Sequence, residues 1–546
     1  MVAVGGEIDI SLVSCRLSLR ASAYVPLGPM YLVSALRERG FRAELLDFQL
    51  HEAKHQFDVE GLVGYFERAQ APVIGVSLFA DALPLVLLAI QRYVARHGRA
   101  KLFILGGSGV NSNERAILDR FPEIDVVVRG EGEATLPAIL AALRDGRAPS
   151  GPGVYARETL IQLGRGAGET AKPERVRELD HLPWPDYAAI DPSRYGRLAI
   201  VTSRGCPFNC SFCEIITMWG RTVEYRGAAD VVAELAHLVE ATGNHSVDFI
   251  DDTFTVHKRR VLELCAAIVD AGIDARWTCF SRADTITEEV AEAMAAAGCD
   301  TVFFGIDTGS ELLWREISKR LSRAQVLDAV GATLRHTGVT ASYIWGYPSE
   351  SFADFVATIR LAYEVASLPR HGHRLHTQLH FLSPTRATPI FAAHGDSLRF
   401  SADVRLEIFG SSRLRDFAAE PDYDACVALI QSDPAMFAPF YFYETPQLAH
   451  KRALMDGSEA VRERLLGATV LCGDADAALD GLLEDLRGRA DEGSDAGIRA
   501  MVEYVRLVSI ASDRALMEHL RALAARGRDA SGRAGTAQQG RGIDAA

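Results

Sequence analysis

Three cysteines stand close together in the segment SRGCPFNCSFCE, as Cys206, Cys210 and Cys213. Their spacing is C-x3-C-x2-C, directly after an apolar strand candidate at 198–203. Three thiolates on one loop can each take one iron of a cubic 4Fe–4S cluster. The fourth iron then stays open to chelate the amino and carboxylate groups of a small molecule. Two other readings compete. A zinc site would want four ligands and CxxC pairs, and three unrelated cysteines can share a loop. The remaining six, Cys15, Cys265, Cys279, Cys299, Cys426 and Cys472, are scattered. That excludes a disulfide scaffold and fits a reduced, cytoplasmic setting.

Such a loop needs elements to position it. Apolar runs at 7–15, 42–48, 72–79, 101–107 and 124–129 alternate with helical patterns, which predicts an open parallel sheet covered on both faces. Ligands of such sheets bind beyond the carboxyl ends of the strands. Gly106, Gly107, Gly109, Gly130 and Gly132 fall there, with Ser77 and Glu131 beside them. Each glycine is a place where backbone approaches a ligand, or an ordinary strand-to-helix turn. Residues 146–195 are rich in Pro, Gly and Arg and read as a linker with a short hairpin. Strand candidates at 198–203, 247–252, 275–280, 301–306, 340–346 and 376–382 then predict a partial β/α barrel. Residues 400–525 read as mostly helical, and the Gly/Ala/Arg-rich tail from about 526 reads as disordered.

Composition narrows the class. The chain has 546 residues, which suggests three or four domains, and 48% are apolar, which excludes disorder as its main state. A net charge of −14 argues against nucleic acid or an anionic membrane as partner. No apolar run is long enough to span a bilayer, and MVAVGGEIDISL does not read as a secretion signal.

The cysteine loop resembles the signature of radical S-adenosylmethionine (SAM) enzymes, CxxxCxxC with an aromatic before the last cysteine. DFIDDTFTVHKRR, TCFSRAD, AGCDTVFFGIDTGSELL, YIWGYPSES and FLSPTRATPIF follow in family order. PLGPMYLVSALRERGF, VIGVSLF, LFILGGSGV and VVVRGEGEATLPAIL are similar to the cobalamin-binding domain of one branch of that superfamily. The likeness covers roughly residues 8–395. It implies a five-stranded, doubly wound, Rossmann-like cobalamin-binding domain (1–147), a linker (148–196), a partial (β/α)6 radical SAM core (197–395), a helical substrate-shaping region (396–525) and a tail (526–546).

The resemblance also implies roles. Cys206, Cys210 and Cys213 would ligate the cluster and Phe212 would lie against adenine. Asp251 and Asp252 resemble an acidic pair near SAM or substrate, with a helix cap as the bland alternative. Arg282 could pair with the methionyl carboxylate or be a solvated helix-start arginine. Asp307 stands where relatives carry a Glu toward the ribose, one carbon shorter here. Gly346 would let backbone meet adenine or simply turn the chain. In strand 376–382, His376, Gln378 and His380 alternate with Thr377, Leu379 and Phe381, so the polar set is expected to face the lumen. His376, His380 and Asp252 are the candidate catalytic groups, the histidines being acid–base or merely structural. Phe437, Phe440, Tyr441, Phe442 and Tyr443 are expected to line the pocket or fill the core. The D-x-H-x-x-G signature of cobalt-ligating histidine is absent, and Asp47 and His51 have the wrong spacing, so base-off cobalamin without a protein His ligand is expected.

The implied reaction is carbon methylation of a small molecule, with a second SAM reduced to a 5′-deoxyadenosyl radical and electrons from a flavodoxin or ferredoxin. Oxidative cyclisation, ring contraction, and methylation at phosphorus or an sp2 carbon stand beside it, as does a non-catalytic cobalamin sensor.

Overall fold

A computed structural model describes residues 7–17, 23–52, 55–157, 172–406, 408, 412–456, 458–491 and 493–525. The expected tail and residues 158–171 of the expected linker lie outside the described residues. Contacts divide the chain into two compact units. One comprises Met1–Phe280, Ala296–Gly298 and Phe381–Glu444; the other comprises Ser281–Ala295, Cys299–His380 and Thr445–Ala546. This grouping differs from the sequence domains, because hydrogen bonds and ion pairs within the first unit join the N-terminal sheet to the cysteine loop.

The first unit opens with β1 (Ile10–Cys15), β2 (Ala43–Asp47), β3 (Val73–Leu78), β4 (Leu102–Gly106) and β5 (Val126–Val128). Every residue of β1 is buried, as a strand covered on both faces requires. The strand order is β2-β1-β3-β4-β5-β6, with β1 to β5 parallel. The sixth strand, β6 (Val154–Ala156), runs antiparallel to β5. It corrects the expected five-stranded sheet, and the linker contributes an edge strand where a hairpin was expected. Ile10, Leu12, Val33, Leu36, Ile104, Val126, Ile139 and Leu140 form one core between this sheet and the helices Leu27–Glu38 and Gly132–Arg144. The order reverses between β1 and β3, so a ligand cleft is expected at their carboxyl ends.

The same unit continues with β7 (Leu198–Ile200), then β8 (Ser203–Arg204) paired antiparallel with β9 (Glu224–Tyr225). The cysteine loop lies between β8 and the short helix Ile215–Trp219. Parallel strands β10 (Ser246–Phe249) and β11 (Arg276–Ser281) follow, β10 lying between β7 and β11.

The second unit holds β12 (Cys299–Asp307) and β13 (Gly338–Trp345), parallel, with β14 (Leu375–Phe381) beside β13 at the sheet edge. The intervening helices Arg323–Leu334 and Phe352–Ala366 each start on a capping box, Ser322 with Gln325 and Ser351 with Asp354. Helices Ser458–Cys472, Ala475–Arg489 and Asp495–Ala511 pack together after them. An edge strand exposes unpaired backbone groups. Here Thr377 N donates to Ser509 Oγ (2.8 Å), Ser509 Oγ donates to Thr377 O (2.9 Å) and Ser512 Oγ donates to Leu375 O. The last of these helices thus satisfies the edge with side-chain hydroxyls. The aromatics Phe437, Phe440, Tyr441, Phe442 and Tyr443 are all buried as core.

Candidate functional site

The cysteine loop begins at a junction of buried hydrogen bonds. Asp251, 1% exposed, accepts from Thr202 N, Thr202 Oγ1 and Ser203 Oγ, each at 2.6 Å. Its two oxygens are therefore occupied by the chain before the loop. These bonds make Asp251 a structural tie between the strand end and the loop. Asp251→Asn puts an amide against donors and is expected to lower stability by about 3 kcal/mol, read as a drop in the thermal midpoint. Asp252 accepts from Gly205 N (2.9 Å), and burial pushes its carboxyl up to about 6.

Cys206, Cys210 and Cys213 are half-buried, whereas Cys15, Cys265, Cys279, Cys299 and Cys426 are buried. Cys213 N donates to Cys210 O (3.1 Å), and Cys206 Sγ lies 3.5 Å from Thr253 Oγ1. Burial, and then the neighbouring Cys210 and Cys206, push the Cys213 thiol up to about 12. The three thiols thus sense one another electrostatically. Among the described residues no three His, Cys, Asp or Glu side chains could share a single metal ion. A cubic cluster suits this spacing, since each thiolate takes a different iron; a zinc site does not. Phe212 is half-buried beside Cys213.

Two arginines missed at the sequence level hold the loop. Arg204 Nη1 donates to Glu131 (2.6 Å) and Arg204 Nη2 to Glu133 (2.7 Å). Arg175, from the expected linker, donates to Trp219 O (2.9 Å) and Arg204 O (3.0 Å), its guanidinium 5.0 Å from the Trp219 ring. Glu131 also accepts from Val176 N (2.7 Å), so this expected cofactor residue is a buried clamp. Arg204 stood in plain view beside the first cysteine; Arg175 lay in sequence with no periodicity to mark it.

A cavity of about 480 Å³ opens in this unit. Ser77, Gly106, Gly107, Gly130, Glu131 and Gly132 line it from the carboxyl ends of β3, β4 and β5. Ser203, Arg204, Glu214, Trp219, Ile250 and Asp252 line it from around the cysteine loop. Phe79 and Ile250, 48% and 40% exposed, present apolar surface to it. Burial pushes the Glu214 carboxyl up to about 7. The glycines divide by what a side chain would meet. At Gly107 (φ +91°) an added Cβ would lie 2.6 Å from Leu78 O, and at Gly130 (φ +92°) it would strike Pro173. At Gly106 the nearest atom is Val128 O at 3.8 Å, so no packing of the chain demands a glycine there. Gly106→Val is expected to fill the cavity and lower corrinoid retention at least tenfold while the melting midpoint holds. Gly107→Val, in the left-handed region, is expected to lower the midpoint.

In the second unit, Arg282 spends its fork on Asp284 at 2.9 and 2.8 Å and is 6% exposed. Its guanidinium is thus bonded to a neighbour in sequence. Asp307 ends β12 with φ +72° and pairs with Lys319, which also donates to Gly305 O. Both side chains of this pair are buried. Gly346 (φ +89°) donates its N–H to Glu350 Oε2 (3.0 Å). Glu350 and Lys451 are fully buried, and Lys451 Nζ donates to Glu350 O (2.6 Å), Glu350 Oε2 (2.9 Å) and Thr445 Oγ1 (3.0 Å). Burial raises the Glu350 carboxyl above its usual range, and Lys451 opposes the shift. His380 and Gln378 Oε1 are 2.9 Å apart at the carboxyl end of β14. His376 stands at the amino end of β14 and lines a different cavity. Strand rise puts their backbones about 13 Å apart.

Residues 200–362 match the Radical SAM superfamily, and residues 16–140 match the B12 binding domain. An uncharacterized methyltransferase of Pyrococcus horikoshii is 32% identical over 346 residues, 62% of this chain and 72% of the relative. An anaerobic magnesium-protoporphyrin IX monomethyl ester cyclase of Cereibacter sphaeroides is 25% identical, the match spanning 63% of this chain and 57% of the relative. The radical SAM methyltransferase TsrM of Kitasatospora setae, solved with cobalamin and a [4Fe-4S] cluster, has a TM-score of 0.59. It is 19% identical, with 80% of this chain and 84% of that one covered. The cobalamin-dependent SAM radical enzyme OxsB, with aqua-cobalamin bound, gives 0.62 at 15% identity, covering 98% and 82%.

The sheet, the following β/α half and the cysteine loop define a radical SAM enzyme. Within that class, the chain belongs to the cobalamin-binding branch, whose cofactors are a 4Fe–4S cluster, SAM and cobalamin. Its fold is an N-terminal doubly wound α/β domain, a partial radical SAM barrel and a helical C-terminal region. Among the described residues no helix is long and apolar enough to cross a membrane.

Proposed function

We propose that the protein methylates a carbon of a small-molecule substrate, using SAM both as methyl source and as radical source. One observation carries the reading: the carboxyl edge of the first sheet and the surroundings of the cysteine loop line the same cavity. When bound, the cluster supplies the electron that cleaves SAM, and cobalamin supplies the methyl group. Cys206, Cys210 and Cys213 hold the cluster. Gly106, Ser77 and the half-exposed Phe79 receive the corrinoid; Gly106 leaves room, and Phe79 and Ile250 keep water from the cavity. His51 lies 3.1 Å from Asp58 Oδ2 and stacks on Phe48 (5.3 Å), which favours cobalamin bound base-off without a protein histidine. Arg204 and Arg175 fix the loop that would hold the cluster. Glu350 holds the Gly346 turn, whose bare backbone suits the face of a flat ring. Asp252 and His380 are the candidates for moving a proton at substrate. The electron donor is a flavodoxin- or ferredoxin-type protein, and the setting is cytoplasmic.

The similarity to the magnesium-protoporphyrin IX monomethyl ester cyclase supports a second reading, oxidative cyclisation of a tetrapyrrole. Anaerobic reconstitution with iron, sulfide and hydroxocobalamin tests both. About four irons and one corrinoid per chain are expected. S-adenosylhomocysteine formed together with 5′-deoxyadenosine supports methylation; 5′-deoxyadenosine alone supports cyclisation. Four irons without corrinoid overturns the methyl-transfer reading.

A further inference from the structure

The second unit contains a cavity that the reaction does not use. Its volume is about 790 Å³, room for a metabolite of ordinary size. Thr301, Val339, Thr340 and Thr377 wall it near the amino ends of β12, β13 and β14, and Ser509, Ile510 and Leu516 wall it from the C-terminal helices. The Gly346 turn and Asp307 lie at the opposite, carboxyl ends of these strands. Strands of seven to nine residues put about 20–30 Å between the two ends. A molecule here cannot take part in the chemistry.

Charge and satisfaction describe the ligand. Arg374, Arg462 and Arg506 border the cavity with His376, against the two carboxylates Glu463 and Asp513. Arg506 donates to Met455 O, and Asp513 accepts from Leu516 N (3.1 Å). Arg374 and Arg462 are exposed, and their guanidinium groups make no hydrogen bond or ion pair among the described residues; the Arg374 carbonyl accepts from Val339 N (2.8 Å). Thr377 is 6% exposed, yet its Oγ1 has no hydrogen-bond partner. A buried hydroxyl normally finds one. Its backbone is held by Ser509, and the residue walls the cavity. Val339, Ile510 and Leu516 add apolar wall.

We propose that this cavity binds an organic anion, an apolar body carrying a carboxylate or phosphate, with Arg374 and Arg462 pairing its charge and Thr377 Oγ1 donating to it. Guanidinium forks suit either head group. Bound there, the anion bridges the strands to the C-terminal helices and stabilises their packing.

The test is calorimetric titration of the full-length reconstituted enzyme with octanoate, octyl phosphate and inorganic phosphate, followed by thermal melts. Octanoate or octyl phosphate is expected to bind one per chain, at about millimolar affinity or better, and to raise the melting midpoint. The better of the two identifies the head group. Arg374→Gln and Arg462→Gln, both at exposed positions, are each expected to weaken binding about tenfold. Thr377→Val is expected to weaken it with little loss of stability. Cluster and corrinoid content are expected to stay unchanged in all three. Binding undiminished in both arginine variants places the ligand elsewhere and overturns the proposal. So does the absence of one-to-one binding by either amphiphile, or binding by inorganic phosphate as tight as by octyl phosphate.

Discussion

Cys213→Ala is expected to take iron from about four per chain to near zero and to abolish 5′-deoxyadenosine formation, while about one corrinoid per chain remains. The split follows from the cavity. Its wall at the ends of β3, β4 and β5 contains no cysteine, so corrinoid binding does not need the cluster. The half-buried Cys213 has the thiol pushed up to about 12 and stays protonated until metal displaces the proton. The exposed Cys472 supplies the control, since Cys472→Ala is expected to keep four irons and full activity. Iron and corrinoid analysis of the two variants checks this. Loss of corrinoid together with iron in Cys213→Ala would mean that the two cofactors fold the cavity jointly.

Lys451→Met is expected to be the most destabilising single change away from the cysteines. It leaves Glu350 ionisable, fully buried and without its cation, a situation that costs about 3–5 kcal/mol. A fall of roughly 10 °C in the melting midpoint is the matching observable. The double variant Glu350→Gln/Lys451→Met removes both charges and is expected to recover more than half of the loss. The same pair holds Gly346 N through Glu350 Oε2. The single variant is therefore also expected to raise the KM for SAM about tenfold with iron content preserved. A melting curve equal to wild type would show that Glu350 finds another donor.

Much of the architecture was legible because long apolar runs leave few alternatives. The five parallel strands of the first sheet, and β7, β10, β11, β12, β13 and β14 after it, each overlap a predicted run, whereas the two-residue β9 has none. The cysteine loop was legible from its spacing, its place after a strand and its flanking residues together. The edge strand β6 was not, because three residues, Val154–Ala156, inside a Gly- and Pro-rich stretch carry no usable period. Side-chain roles were harder still. Asp251, Arg282 and Asp307 each read as ligand-facing, and each is engaged by a partner whose position only the fold decides: Thr202 and Ser203, Asp284, and Lys319. Alternation along β14 tells which face His376 and His380 share. It says nothing of height along the strand, and height separates them.

The hydroxyls of Ser509 and Ser512 against β14 carry a consequence for biosynthesis. Ser509 is synthesised 132 residues after Thr377. At about 5–20 residues per second, the edge of β14 waits roughly 7–26 s on the ribosome before its cover exists. During that interval the nascent chain offers an unpaired strand edge to its neighbours on the same message. Slower translation of the last helices is therefore expected to lower the soluble yield.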